Sequence, residues 1–467
     1  MLTKGLDTYS QSSSTTLRSL RPLRSILSAV GAAAIAASAH AQDLGVKAAP
    51  QAEPIVIIGA TIHPVSAPAI ENGYIAFEKG VITAIGSGSP ERTSDTRVIE
   101  AKGRHVYPGL ISADTQLGLA EMASIRATND HSETGGITPE VRAIVAVNPD
   151  STLLPVTRSN GILTVMACPQ GGRIPGRPGV MHLDGWTWEE MAVEPEVGLC
   201  ISWPSMRTFN SPWMQQSEEE QREESRRSYE AIDRAFDAAE AYIAAKTADP
   251  GLPTDLRWEA MRAVLPGADR QQQVFITAGD VDQITAAVTW AIGRKLRPAI
   301  IGGRDSEQCA DLLKRHDVPV IITGTHTFPK RADAPYDDPF TLPARLHAAG
   351  VKFCIASADR TAHERNLPYN AGTAVAYGLD PEAALKAITQ WPAEILGVAD
   401  RLGTLEVGKS ATLIVTSGDP LEIATNTQQA FIDGREIDLS NKQSILAEKY
   451  REKYRQKNAQ GTREAAR

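Results

Sequence analysis

No two cysteines in this chain stand at a spacing that suggests a shared role. Cys168, Cys200, Cys309 and Cys354 are scattered, with no C-x-x-C and no zinc-ribbon pattern. Cys168, Cys200 and Cys354 lie in apolar runs, so buried free thiols are the first expectation, with one disulfide left open in an oxidising compartment. The chain also lacks an apolar run long enough to span a bilayer. It has no phosphate-binding P-loop, no serine-nucleophile elbow and no dinucleotide fingerprint; Gly302-Gly303 wants the third glycine and the helix that would make one. Positive charge is short as well, 48 Lys and Arg against 56 Asp and Glu, for a net −8. Such a chain is a poor partner for nucleic acid or anionic lipid.

What is present is a composition suited to a sizeable core: 467 residues, 42% hydrophobic and 22% charged. One large α/β barrel with an appended domain accounts for that length. Arg18, Arg21 and Arg24 precede an apolar run over 26–37 and then Ala39-His40-Ala41, which reads as a secretory signal peptide over 1–41. The expected location is therefore periplasmic or secreted. Loss of 1–41 would remove Lys4 and three arginines against Asp7, leaving a net charge of about −11. Residues 42–53, rich in Ala, Pro and Gln, read as a linker.

From Ile55 short strands separated by Glu71-Asn72-Gly73 and Glu78-Lys79-Gly80 form a small β-module. It is too small to close a core alone and needs strands from elsewhere in the chain. Further on, eight near-continuous apolar runs of strand length suit parallel strands covered on both faces. They begin at Gly109 and continue over 161–167, 179–183, 197–202, 274–278, 298–302, 318–323 and 351–357. Helical segments over 280–295, 306–316 and 342–349 alternate with the later strands, which predicts a (β/α)8 barrel. The spacing also predicts a helical piece over 139–147, a long mixed-charge helix over 215–246 and a charged tail helical to about Lys457.

Pro108-Gly109-Leu110-Ile111-Ser112-Ala113-Asp114-Thr115-Gln116-Leu117-Gly118 resembles the first barrel strand of the amidohydrolase superfamily (urease and imidazolonepropionase relatives), whose pattern is P-G-L-I-D-x-H-x-H-x-G. Residues 401–415 resemble that family's G-x-L-x-x-G-K-x-A-D-L-x-V run near the C-terminus, with Thr412 in place of the aspartate. The resemblance implies an α/β fold: a (β/α)8 TIM-like barrel over 109–403, a composite β-sandwich from 54–108 and 404–437, and a charged helical tail over 438–467.

The family's metal ligands do not carry over. Asp114 and Gln116 stand where its two first-strand histidines belong, Thr277 and Gly302 where those of strands five and six belong. Ala358 takes the position of the catalytic aspartate, with Asp359 one residue late, and strand four has no lysine. Imidazole and carboxylate groups are what hold a Lewis-acid ion and lower the pKa of its water. Losing them together removes the charge that offsets desolvation of a divalent cation.

The implied reading is an exported member of this family with no metal and no cofactor, serving as a ligand-binding or partner subunit. Its partners would be a small molecule, and a homo- or hetero-oligomer with a metal-bearing relative. The alternative is a hydrolase of C–N bonds, through a shifted metal site holding zinc or another divalent ion, or without metal. Candidate catalytic residues are Asp114 and Asp359; candidate substrate-binding residues are Gln116, Arg173 and His326. Glu121 and His363 are further polar groups expected at the same barrel end. Arg173 and Arg177 lie in a Gly/Pro loop that fits either a carboxylate clamp or a tight crossover. Trp186 and Trp188 fit either a pocket lining or core packing.

Overall fold

Apolar runs broken at turns build the first sheet. β1 (Ile55–Ile62), β2 (Ile70–Glu78) and β3 (Val81–Ser87) form an antiparallel meander. On its other edge β1 changes neighbours: residues 55–58 run parallel to β4 (Arg97–Glu100), while Thr61 and Ile62 run parallel to β5 (His105–Pro108). Gly59 sits at the switch with φ 74, a conformation that costs a glycine little. Strands from the far end of the chain complete the sheet: β15 (Leu413–Thr416), β16 (Thr427–Ile432) and β17 (Arg435–Glu436). The order is β17-β16-β15-β5-β1-β2-β3, with β4 on β1. The eight strands hydrogen-bond into one sheet that folds over on itself, Ile82 N donating to Lys409 O and Ala411 N to Gly80 O. Its core brings Phe77 edge-on to Phe431, ring centres 5.2 Å apart, a contact worth about 1 kcal/mol beyond area burial.

The structure, a computed structural model, describes residues 43, 45–88, 90, 93–122, 124–211, 213, 215–331, 333–357 and 361–465. The signal-peptide reading of 1–41 and the candidates Ala358 and Asp359 lie outside the described residues.

Two further sheets carry the middle of the chain. β10 (Gly198–Ser202), β11 (Gln273–Ala278), β12 (Arg297–Gly302), β13 (Val320–Thr323) and β14 (Phe353–Ala356) pair in that order, all parallel. β6 (Leu110–Thr115) pairs parallel with β7 (Ile162–Ala167). The next strand departs from expectation: β8 (Gly179–His182) runs antiparallel to β7, and β9 (Ala192–Glu194) antiparallel to β8. A parallel return needs a crossover, usually a helix, and residues 168–178 hold glycine and proline turns instead. The chain therefore doubles back.

Period-two burial covers both faces of these strands. Ile111, Met166, Phe275, Ala299, Ile321 and Cys354 share one core, while their neighbours Leu110, Val165, Ile276, Ile300, Ile322 and Ile355 share another. Local signals set the helices. Asp280 and Gln283 make a capping box at the start of Val281–Gly293, and Gly350 in a left-handed conformation ends Asp338–Ala349. Ser217 and Glu220 cap Glu218–Ala248, whose buried stripe is Ile232, Ala235, Phe236 and Ala239. Two expectations fail. Only a single 3-10 turn, Ala143–Ala146, forms within 139–147, where Pro139 and polar Arg142 leave too short an apolar run for an α-helix. The tail helix, Lys442–Ala465, continues past Lys457 because no proline breaks it. Among the described residues no helix is long and apolar enough to cross a membrane.

Candidate functional site

The C-terminal ends of β6, β7, β10 and β14 supply the site, and a bulge in β6 arranges it. The β6–β7 register slips between Ser112 and Thr115, so that three residues of β6 span two of β7. A regular strand would put Ser112 and Asp114 on one side; the extra residue instead lets Ser112 and Thr115 share a neighbour. That neighbour is Glu364, buried in the 3-10 turn Thr361–Asn366. Thr115 Oγ1 donates to Glu364 Oε2 at 2.7 Å. The hydroxyls of Ser112 and Ser357, and Glu364 Oε1, are buried and lack a partner within hydrogen-bond geometry. Burial pushes the Glu364 carboxyl above its usual range; the nearby hydroxyls of Ser112, Thr115 and Ser357 oppose the shift, and the Asp114 charge adds to it.

Asp114 is half-buried at the strand end. Burial pushes its carboxyl up to about 6, against a hydrogen bond from Cys168 that favours the ionised form. Cys168 in turn meets Cys200, and contact with that thiol together with burial raises its pKa. Cys354 is raised by burial, with the Asp114 carboxylate adding to the shift. All four cysteines are buried and free. Asp114 therefore sits beside neutral thiols.

Such donors suit a divalent ion badly. A metal needs deprotonated ligands, and here the carboxyls and thiols are held towards their protonated forms. Among the described residues no three His, Cys, Asp or Glu side chains converge to hold an ion. The strand-six position is closed by backbone as well. Gly302 has φ 105, and a Cβ there would lie 3.0 Å from the carbonyl oxygen of Ala278, so a histidine would be strained. Thr277, at the strand-five position, is exposed.

The other candidates are tied to neighbouring elements. Gln116 is half-buried just past β6, its backbone carbonyl accepting from the amides of Leu119 and Ala120. Arg173 reaches the long helix, Nε donating to Ser228 Oγ at 3.0 Å and Nη2 to Glu224 Oε1 at 2.9 Å. Arg177 binds the carbonyls of Pro139 and Glu140 and the carboxylate of Glu196. Gly172, at φ 69, lets this loop press on the carbonyls of Gly135 and Gly136, which a Cβ would meet at about 3 Å. Exposed His326 shares a 2.6 Å hydrogen bond with Thr373 Oγ1, and its backbone amide donates to Asn370 Oδ1. His363 is exposed. Glu121 accepts from Asn148 at 3.5 Å. Trp186 is exposed, and the guanidinium of Arg142 lies 5.3 Å from the ring centre of half-buried Trp188.

Glu364 escaped sequence reasoning. It lies in a polar run, and its partners come from strand ends more than two hundred positions earlier or from Ser357. No local pattern announces it.

A profile of the amidohydrolase family matches residues 300–438. Amidohydrolase tasK of Hapsidospora irregularis is 24% identical over 405 residues, 78% of this chain and 39% of that protein. A 5-methylthioadenosine/S-adenosylhomocysteine deaminase of Halalkalibacterium halodurans is 41% identical over 56 residues, 12% of this chain and 13% of that one. The chain thus spans well under half the length of these relatives. The crystal structure of an amidohydrolase from Thermotoga maritima MSB8 superposes with a TM-score of 0.72 at 23% identity, over 82% of this chain and 99% of that one. The family usually binds a metal. Profile, relatives and fold agree in their resemblance to the amidohydrolase superfamily.

Proposed function

We propose that this chain is a member of that superfamily that has given up the family's metal chemistry and acts as a non-catalytic ligand-binding or partner subunit, without metal or cofactor. The observation that carries this reading is the replacement of every expected histidine, with Gly302 in a conformation that disfavours any side chain. The upward pKa shifts of Cys168 and Glu364 support it, because an ion would have to displace protons that burial favours keeping on both groups. We read the two middle sheets as the wall of one distorted (β/α)8 barrel. Support comes from the seams: Cys200 N donates to Gly176 O, while Ile111 N and Ile355 N donate to the adjacent carbonyls of Ile388 and Ala387. In the same reading residues 54–108 and 404–437 make the composite β-domain, 438–467 the tail, and 1–41 the export signal of a periplasmic or secreted protein.

One observation favours a second reading, hydrolysis of a C–N bond without metal. Buried Glu364 senses the charge of Asp114, whose own carboxyl burial pushes up to about 6, and two carboxyls of unlike environment are what acid–base catalysis uses. In that reading Asp114 and Asp359 are catalytic, and Gln116, Arg173 and His326 contact substrate.

The experiment is an assay of the purified protein against peptide-like and cyclic amides and amidines, alongside Asp114→Asn and Asp114→Ala. No turnover by any form, with a thermal shift from a compound that is left intact, is the expected result. Turnover abolished in both variants would establish the second reading.

A further inference from the structure

We propose that the Lys442–Ala465 helix is a docking arm that seats on the acidic body of a second copy of this chain. From Lys442 to Ala459 every side chain is exposed except half-buried Glu452. A helix of 24 residues is about 36 Å long, and helices that pack on nothing are marginal in water. Its ion pairs, Arg451 with Glu448 and Arg455 with Glu452, are solvent-exposed surface pairs and do not replace a packed face.

The helix nevertheless carries a face to bury. Leu446, Tyr450 and Tyr454 recur at every fourth position and are 49%, 51% and 58% exposed, with Ile445 beside them at 62%. Residues four apart lie on one side of a helix, so these make a single apolar stripe along the first half of the arm. In a packed protein such a stripe is covered.

Charge selects what covers it. Residues 442–465 hold seven Lys and Arg against three Glu, a net +4, whereas residues 43–441 hold 36 basic and 52 acidic residues, a net −16. The arm of one copy thus meets complementary charge on the body of another, and two copies can exchange arms symmetrically. Arm-to-arm pairing would set +4 against +4. An anionic membrane would attract the arm but repel the body that bears it. The inference does not depend on what the barrel binds or whether it turns over.

The test is the molar mass of the full chain in solution at about 10 μM, by light scattering at about 50 mM and about 500 mM NaCl, where exposed charges are screened beyond about 4 Å. The expected result is a dimer at low salt whose dissociation constant rises at least about tenfold at high salt. Leu446→Ala/Tyr450→Ala/Tyr454→Ala leaves the body's core untouched and should be monomeric at both salt concentrations, its thermal unfolding still cooperative. A monomer under both salt conditions, an unaltered dimer in the triple variant, or a monomer that floats with phosphatidylserine vesicles instead would each overturn the proposal.

Discussion

Thr115 donates a 2.7 Å hydrogen bond to Glu364, joining the end of β6 to a turn that follows β14, with both side chains buried. Without the bulge in β6, Ser112 and Thr115 would lie on opposite sides and Glu364 would lose one of them. Replacing Glu364 should therefore separate shape from charge. Glu364→Gln keeps the acceptor for Thr115 and offers an amide to the unpartnered hydroxyls of Ser112 and Ser357, so it should change stability by less than about 1 kcal/mol. Glu364→Ala leaves a cavity and strands Thr115, costing about 2–4 kcal/mol. Urea unfolding at pH 7 measures both, and a Gln variant as damaged as the Ala variant would show that the ionised carboxylate holds this corner together.

Asp114 makes stability depend on pH in a stated direction. Its carboxyl moves from 3.8 in the unfolded chain to about 6 when folded, so between those values the folded state binds more protons. Stability contributed by the neutral form is present below about pH 4 and falls as pH rises through 6. Asp114→Asn cannot ionise. It should match the parent near pH 4 and exceed it by about 1–3 kcal/mol at pH 7, the lower figure applying if the half-buried carboxylate is partly solvated. Unfolding curves at both pH values test this, and an Asn variant weaker than the parent at pH 7 would contradict it.

The thiols offer a chemical check on the interior. Cys168, Cys200, Cys309 and Cys354 are free and buried, and Cys168, Cys309 and Cys354 are raised in pKa by burial or by neighbouring thiol and carboxylate groups. Attack on a disulfide reagent needs an accessible thiolate. Fewer than about one thiol per chain should react with an aromatic disulfide in an hour at pH 8, and about four after unfolding in guanidinium. Rapid native reaction of two or more would mean that the mouth around Asp114 opens readily.

How much of this was readable beforehand depends on how local the signal is. The strands of the middle sheets follow from continuous apolar runs, and the first sheet from alternation and turns, because strand-forming patterns are short-range. The reversal at β8 was not read, since Gly179–His182 has the same apolar character whichever way it runs. At the site, the missing histidines were legible in residues 108–118 as substitutions. The partners of Glu364 were not, because a one-residue slip in β6 decides which side each side chain takes. Arg173 looked like a ligand clamp from its glycine-rich setting, yet its guanidinium is held by Ser228 and Glu224 on a helix fifty residues on.

Gly302 tells whether the lost site can be restored by one change. With φ 105 and the Ala278 carbonyl 3.0 Å from a Cβ, Gly302→His should lower stability by about 1–3 kcal/mol and gain no zinc affinity. Thr277→His, on an exposed strand-end position, should be tolerated within about 1 kcal/mol. Thermal melts with and without zinc compare them, and a zinc-stabilised Gly302→His protein would mean that the backbone at β12 adjusts to a ligand.

The central claim is that the strand ends around Asp114 do not hold a divalent ion. Its most direct test is the metal content of the purified chain after incubation with excess zinc and exhaustive dialysis at pH 7.5, read by plasma mass spectrometry. The account predicts far less than one zinc per chain and the same value for Asp114→Asn. One tightly held zinc per chain, lost in Asp114→Asn, would contradict it.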